Sequence, residues 1–313
     1  INRTMSNIFE LTPVDIQLPE GAFAGGGRDI LLLNGRPLCA FTRGSYRPCL
    51  HPVWTPDGNV VTAEQPADHP HHRGVWIASD HIGLLMQGPD GQERYDYCFY
   101  TDRVFQGRMP GQIRQTDLKL VAKSGNTALL KQELDWVGPA EWGAKQGRNV
   151  LRETRWTAVT STDFGTVIDL TSDVEPAGGV PVSLGPTRHA WFNARLADGI
   201  AIDRSSSPVD EKGNRGASSI SARETTWVDF SGPVGGAKKA GITVEPTENQ
   251  GSAWFVADWG VVTVGHIRDQ GRVLQPGEHA RFSCRMVAYD GAKPAPQIAS
   301  SGQPFVYPET INQ

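Results

Sequence analysis

Thirty-five glycines and 22 prolines are spread through 313 residues, and this punctuation limits the fold more than any other feature of the chain. Inside a helix, glycine costs about 1 kcal/mol and proline about 3 kcal/mol relative to alanine. Few windows escape both residues long enough to sustain a long helix. Strands must therefore carry the structure, and the hydrophobic alternation agrees. In TALLKQELDWV, Leu130, Leu134 and Trp136 fall on one face and Lys131, Glu133 and Asp135 on the other. In RFSCRMVAY the inward set is Phe282, Cys284 and Met286, against Arg281, Ser283 and Arg285. Further strand-like runs lie at 29–33, 118–123, 149–161, 166–174, 241–246 and 260–267. Many strands with turn-rich connections predict an all-β sandwich or barrel rather than a βαβ array. No internal repeat suggests a propeller. Segments 86–117 and 199–223 are polar and glycine-rich and read as loops over a face of the sheet. With no linker in view, residues 1–313 read as one domain, with 1–4 set aside as a remnant ahead of Met5.

The chain is 38% hydrophobic and 20% charged with a formal net charge of -4, the profile of an ordinary globular protein. That balance, without a basic run, gives no footprint for nucleic acid or a membrane surface. No apolar stretch of about 18 residues could span a bilayer. The absence of a secretory pattern at the N-terminus predicts a cytoplasmic location. Cys39, Cys49, Cys98 and Cys284 form no CxxC pair and read as buried thiols. Exposed sheet edges make a homodimer plausible, and no phosphate-cradling glycine loop calls for a nucleotide cofactor.

Three stretches could carry chemistry. DHPHHRGVW, residues 68–76, packs three of the eight histidines into four positions. Read as extended, it sets His69 and His71 about 6.6 Å apart on one side and His72 on the other. That suits proton transfer or a shared metal ion, although histidines bonded to nearby carbonyls would be the plainer reading. Upstream, in RGSYRPCLHPVW, Arg47 offers a fork for a carboxylate or paired hydroxyls, and His51 could join the imidazoles. In GPTRHAWFNARL, alternation puts His189, Trp191 and Asn193 on one face beside Arg188, a set suited to a polyhydroxylated ring. The competing reading leaves Trp191 and Phe192 in the core.

YRPCLHPVWTPDG followed by PADHPHHRGVWIA resembles the paired hallmark of a bacterial family historically labelled methane oxygenase PmoA, better described as a PmoA-related domain of unknown function. The resemblance runs through ETTWVDFSG and AWFVADWG, and it implies carbohydrate metabolism, because such members accompany sugar-oxidising and sugar-isomerising enzymes. A second resemblance is architectural. RHAWFN is similar to the HxYFN segment of aldose 1-epimerases, HHRGVW to their HGG region, and LQPGEHARFSCRM to their terminal LxPGE strand. Together these imply a large antiparallel two-sheet supersandwich of the galactose mutarotase-like fold, with His189 as an acid and His72 as a second polar contact. The epimerases also need a carboxylate before LxPGE. Here only Asp258 and Asp269 are near, which argues against simple anomer interconversion.

These readings predict an enzyme acting on a sugar, glycoside or sugar-acid derivative by histidine-driven hydrolysis or elimination. His72, His189 and Asp68 form the expected catalytic set, and Arg47, Arg73, Trp76, Arg188, Trp191 and Asn193 the expected substrate contacts. Two alternatives stand beside it. One is a divalent metal ion held by His51, His69 and His71 and driving a related lyase or hydrolase reaction. The other is a carbohydrate-binding protein without catalysis.

Overall fold

A computed structural model describes residues 7–14, 27–44, 46–201, 208–236, 238–247 and 253–291. Two eight-stranded sheets dominate it. The first runs in the order Phe9–Val14, Arg28–Leu33, Arg36–Thr42, Cys49–Val53, Val75–Ile77, Phe192–Arg195, Val261–Val264, Phe255–Ala257. The second runs Val209–Asp210, Val228–Gly235, Lys238–Pro246, Ala280–Asp290, Thr166–Pro176, Asn149–Ser161, Thr127–Val137, Gln112–Ser124. A third, five-stranded sheet orders Arg272–Leu274, Val182–Leu184, Ile82–Gly88, Gly91–Cys98 and Met109–Pro110. Pairing is antiparallel throughout the described strands except between Gly91–Cys98 and Met109–Pro110. The all-β antiparallel class is the one the glycine and proline spacing predicts, and the five-stranded sheet adds to the two expected. Among the described residues no helix is long and apolar enough to cross a membrane.

One hydrophobic core draws on all three sheets, with Leu31 and Phe41 from the first, Leu130, Leu134, Ile168 and Phe282 from the second, and Leu84 and Leu184 from the third. Alternation along Thr127–Val137 and Ala280–Asp290 turns the expected residues inward, but Ser283 and Arg285, expected on the outer face with Arg281, are buried as well. The four cysteines are free and buried, as predicted. Trp136 and Trp191 stack in the interior with centroids 5.2 Å apart. Below them sits a buried polar knot. Glu153 accepts from Trp136 Nε1 at 2.8 Å, from Ser172 Oγ at 2.7 Å and from both Nε and Nη2 of Arg155. Four donors on one carboxylate are what an interior charge requires.

The two loop assignments need correction. Residues 86–117 take in the end of strand Ile82–Gly88, its hairpin partner Gly91–Cys98 and the start of Gln112–Ser124. The second hairpin strand exposes Gln92, Glu93 and Arg94, so its composition reads as a loop although it pairs with Ile82–Gly88 from Gly91 to Tyr97. Residues 199–223 contain two one-turn helices, Asp198–Ala201 and Ala217–Ile220, and the short strand Val209–Asp210; 202–207 lie outside the described residues.

Candidate functional site

The histidine run is not extended. His69 N–H donates to the Pro66 carbonyl at 3.1 Å and His72 N–H to the His69 carbonyl at 2.9 Å, so two successive turns wind the segment up. The winding stacks ring upon ring. His69 and His72 lie 4.6 Å apart and 12° from parallel, and His71 meets His72 edge-on at 4.6 Å. The stack continues outward to Trp259, 5.5 Å from His69, and inward to Trp76, 5.1 Å from His72. Trp259 is exposed, whereas Trp76 is buried at the foot of the column and unavailable to a ligand. The arrangement predicted for His69 and His71 fails because the amides of this segment find acceptors within it.

Next to the column lies the best-organised group of titratable side chains. The bend after strand Val75–Ile77 supplies Asp80, and the loop before strand Phe192–Arg195 supplies His189. Asp80 is fully buried, and its Oδ2 lies 2.9 Å from His189 Nδ1. Its Oδ1 accepts from Thr187 Oγ1 at 2.5 Å and lies 2.9 Å from His81 Nδ1, which is poorly aligned for a hydrogen bond. Thr187 Oγ1 also accepts from the His189 amide, fixing the loop. Burial raises the Asp80 carboxyl, but hydrogen bonds from His189 and Thr187 and the nearby imidazoles outweigh it and hold the group well below the usual carboxylate range.

The tautomer of His189 follows from its partners. Arg188 Nε, which can only donate, lies 3.3 Å from His189 Nε2. Nε2 is therefore the acceptor, and Nδ1 carries the proton given to Asp80. Tyr100 stacks on the imidazole at 4.9 Å, while Phe105 and Phe255 approach it edge-on, each at 5.7 Å. An aromatic wall, an ionised carboxylate and an imidazole whose lone pair meets Arg188 thus come together at one place, with the His189 side chain about one-tenth exposed.

The remaining sequence-derived residues are distributed as follows. Arg47 is fully buried, with Nη2 2.7 Å from Asp102 and Nη1 donating to the His71 carbonyl. Arg73 shares Asp102 at 3.2 Å. Both brace the histidine turn instead of facing a ligand. Asp68 pairs with His69 Nδ1 at 2.8 Å and Arg195 Nη2 at 2.9 Å, away from His189. Trp191 is buried and donates from Nε1 to Ser172 Oγ. Asn193 is buried too, donating to the Trp191 carbonyl and accepting from Thr263 Oγ1. Alternation misplaced these two because the chain before Phe192 bends, so His189 and Trp191 do not share a face. His51 Nδ1 lies 3.0 Å from Thr62 Oγ1, with the Arg28 cation nearby. Among the described residues no three His, Cys, Asp or Glu side chains gather in a way that could hold a metal ion, so His51, His69 and His71 do not form the expected ligand set.

His72 also takes a different role. Burial first, then His71, His69 and the Arg195 cation, bring its pKa down to about 2, so it stays neutral and is a poor proton shuttle at neutral pH. Its Nε2 lies 3.3 Å from the Tyr100 hydroxyl and steadies the ring that stacks on His189. Burial likewise holds His51, His71 and His266 down to about 4. An imidazole in the unfolded chain titrates near 6.5. Between these limits the unfolded chain takes up protons that the folded protein refuses, so stability falls as pH drops through the window. For His266, held between Phe192 and Phe282, the slope approaches ~1 kcal/mol per pH unit. The melting temperature is expected to fall between pH 6.5 and 4.5, and less steeply in His266→Gln. Parallel melting curves for the two proteins would show that His266 titrates normally in the fold.

Sequence reasoning passed over Tyr100, Phe105 and Phe255, and gave Asp80 no role beyond its place beside the histidines. Asp80 next to His81, immediately after the strand, was the available signal. The profile of a family described as a family of unknown function, DUF6807, matches residues 30–302, and the PmoA label suggested by the motif pair finds no support there. No curated protein matches the chain. Three solved structures show partial likeness. A galactose mutarotase-like protein from Lactobacillus casei ATCC 334 is 10% identical with a TM-score of 0.39, over 86% of this chain and 98% of that one. The 4-alpha-glucanotransferase from Thermococcus litoralis is 9% identical with a TM-score of 0.25, over 92% of this chain and 38% of that one. A galactose mutarotase related enzyme from Lactobacillus acidophilus is 7% identical with a TM-score of 0.24, over 85% and 95%.

Proposed function

Since the chain belongs to DUF6807, a family of unknown function, its activity has to be read from the site, and we propose that it is an enzyme that moves a proton on a carbohydrate-type substrate, with His189 as the acid/base group. The observation that carries this reading is the Asp80–His189 pair, with a buried carboxylate on Nδ1 and the lone pair of Nε2 turned toward Arg188 on the exposed side. Asp80 fixes the tautomer and stabilises the imidazolium that forms when Nε2 takes a proton. Phe105 offers an apolar surface to a sugar ring, whose hydroxyls and developing negative charge meet Arg188, stacked on Phe255.

In an elimination, Nε2 removes a proton from carbon, the adjacent carbon–oxygen bond breaks, and the departing oxygen takes the same proton back. Hydrolysis uses the same lone pair to activate water. One imidazole serves both steps, so no second histidine is required.

The test is incubation in D2O with a panel of reducing sugars, keto-sugars, glycosides and sugar acids, followed by proton NMR. A panel member is expected to lose a carbon-bound proton or a glycosidic bond, and His189→Ala is expected to slow that change by about 10²–10⁴-fold. Equal rates in the folded variant and the parent protein would remove His189 from the chemistry.

A further inference from the structure

Four guanidinium groups flanking the histidine cluster each meet a carboxylate. Arg28 lies 2.6 Å from Glu64, Arg47 2.7 Å and Arg73 3.2 Å from Asp102, and Arg195 2.9 Å from Asp68. Arg188 meets none among the described residues. Its only hydrogen bond there is from Nε to His189, so its terminal amino groups, on an exposed residue, have no partner in the described fold. We infer that the substrate is a sugar acid whose carboxylate docks on the free edge of Arg188, beside the proton-transferring imidazole. This deepens the proton-transfer reading and rests on it.

Three features support the inference. Asp80, the buried carboxylate on His189, is already engaged by His189 and Thr187 and forms no ion pair with Arg188. The Arg188 guanidinium carbon stands 4.8 Å from the centroid of Phe255, and an arginine stacked on an aromatic face keeps its in-plane donors free for a planar, two-oxygen acceptor. Arg268 adds a second cation. Burial favours loss of its proton, Asp269 opposes that, and repulsion from Arg188 adds to it, so a second guanidinium stands within electrostatic reach of Arg188. A neutral sugar would leave that charge unanswered.

The geometry also couples binding to chemistry. In the free protein Arg188 Nε caps the lone pair of His189 Nε2. A carboxylate that takes Nε and a terminal nitrogen together draws the arginine off the imidazole and uncovers the base. Lysine carries the charge but not the fork, so it cannot replace arginine in this step.

Isothermal titration of the full chain with D-galacturonate and D-glucuronate, against D-galactose, D-glucose and D-glucose 6-phosphate, tests the inference. At least one acid is expected to bind about tenfold or more tightly than its neutral parent. Arg188→Gln is expected to abolish that preference and Arg188→Lys to remove most of it, whereas His189→Ala keeps it. If no acid outbinds its neutral parent, if the preference survives Arg188→Gln, or if the phosphate outbinds both acids, the inference is overturned. An acid preference that depends on Arg188, without His189-dependent turnover, supports the inference and counts against the proton-transfer reading alone.

Discussion

Asp80→Asn is expected to lower turnover by about 10²–10⁴-fold while the protein stays folded. The reason lies in the hydrogen-bond roles. Asp80 is an acceptor to His189 Nδ1 and to Thr187 Oγ1, and both oxygens are engaged. An asparagine amide presents one oxygen and one NH2 group. With its oxygen toward Thr187, the NH2 faces Nδ1 and forces the other tautomer, which puts the proton on Nε2 and removes the reactive lone pair. The imidazolium also loses the anion that stabilised it. The check is the rate on whichever panel member reacts, with circular dichroism to confirm the fold. Near-parental turnover in folded Asp80→Asn would mean that the carboxylate is only a structural bond acceptor.

Glu153→Ala is expected to cost about 3–5 kcal/mol, the penalty for removing one partner of a buried ion pair. The side chain is fully buried and takes four hydrogen bonds, two of them from an almost fully buried Arg155. Without it, Arg155 is left charged and unpaired in the core, and Trp136 Nε1 and Ser172 Oγ lose an acceptor. Against a total stability of about 5–15 kcal/mol for an ordinary domain, much of the folded population is at risk. Denaturant titration measures the loss. The double variant Glu153→Leu, Arg155→Met should recover part of it, because no buried charge remains. A double variant no more stable than the single one would show that the knot stabilises by geometry and not by charge pairing.

The fold was legible where burial follows a simple period. Thr127–Val137 and Asn149–Ser161 begin and end where their patterns do, since a strand with one wet and one dry face writes its alternation into the sequence. Gly91–Cys98 was not legible, because its exposed charged residues imitate a loop. At the site, His189 and Arg188 were readable as a pair of chemical types. The role of His72 was not, because its neutrality comes from burial beside other rings. Trp191 and Asn193 were misassigned for a related reason: alternation applies to a strand, and the strand begins only at Phe192. Asp80 could be named as a neighbour of the histidines, but its engagement by His189 and Thr187 is a long-range fact of assembly.

That distance has a consequence for how the protein comes into being. The two members of the pair are 109 residues apart in sequence, and the rings around them come from positions near 72, 100, 105 and 255. Contacts of such high order close late, after most of the loop entropy has been lost. No nascent or truncated chain that lacks the loop before Phe192 can assemble the reactive pair, so competence arrives near the end of folding. A ligand bound there draws on segments across most of the described chain and stabilises the native state as a whole.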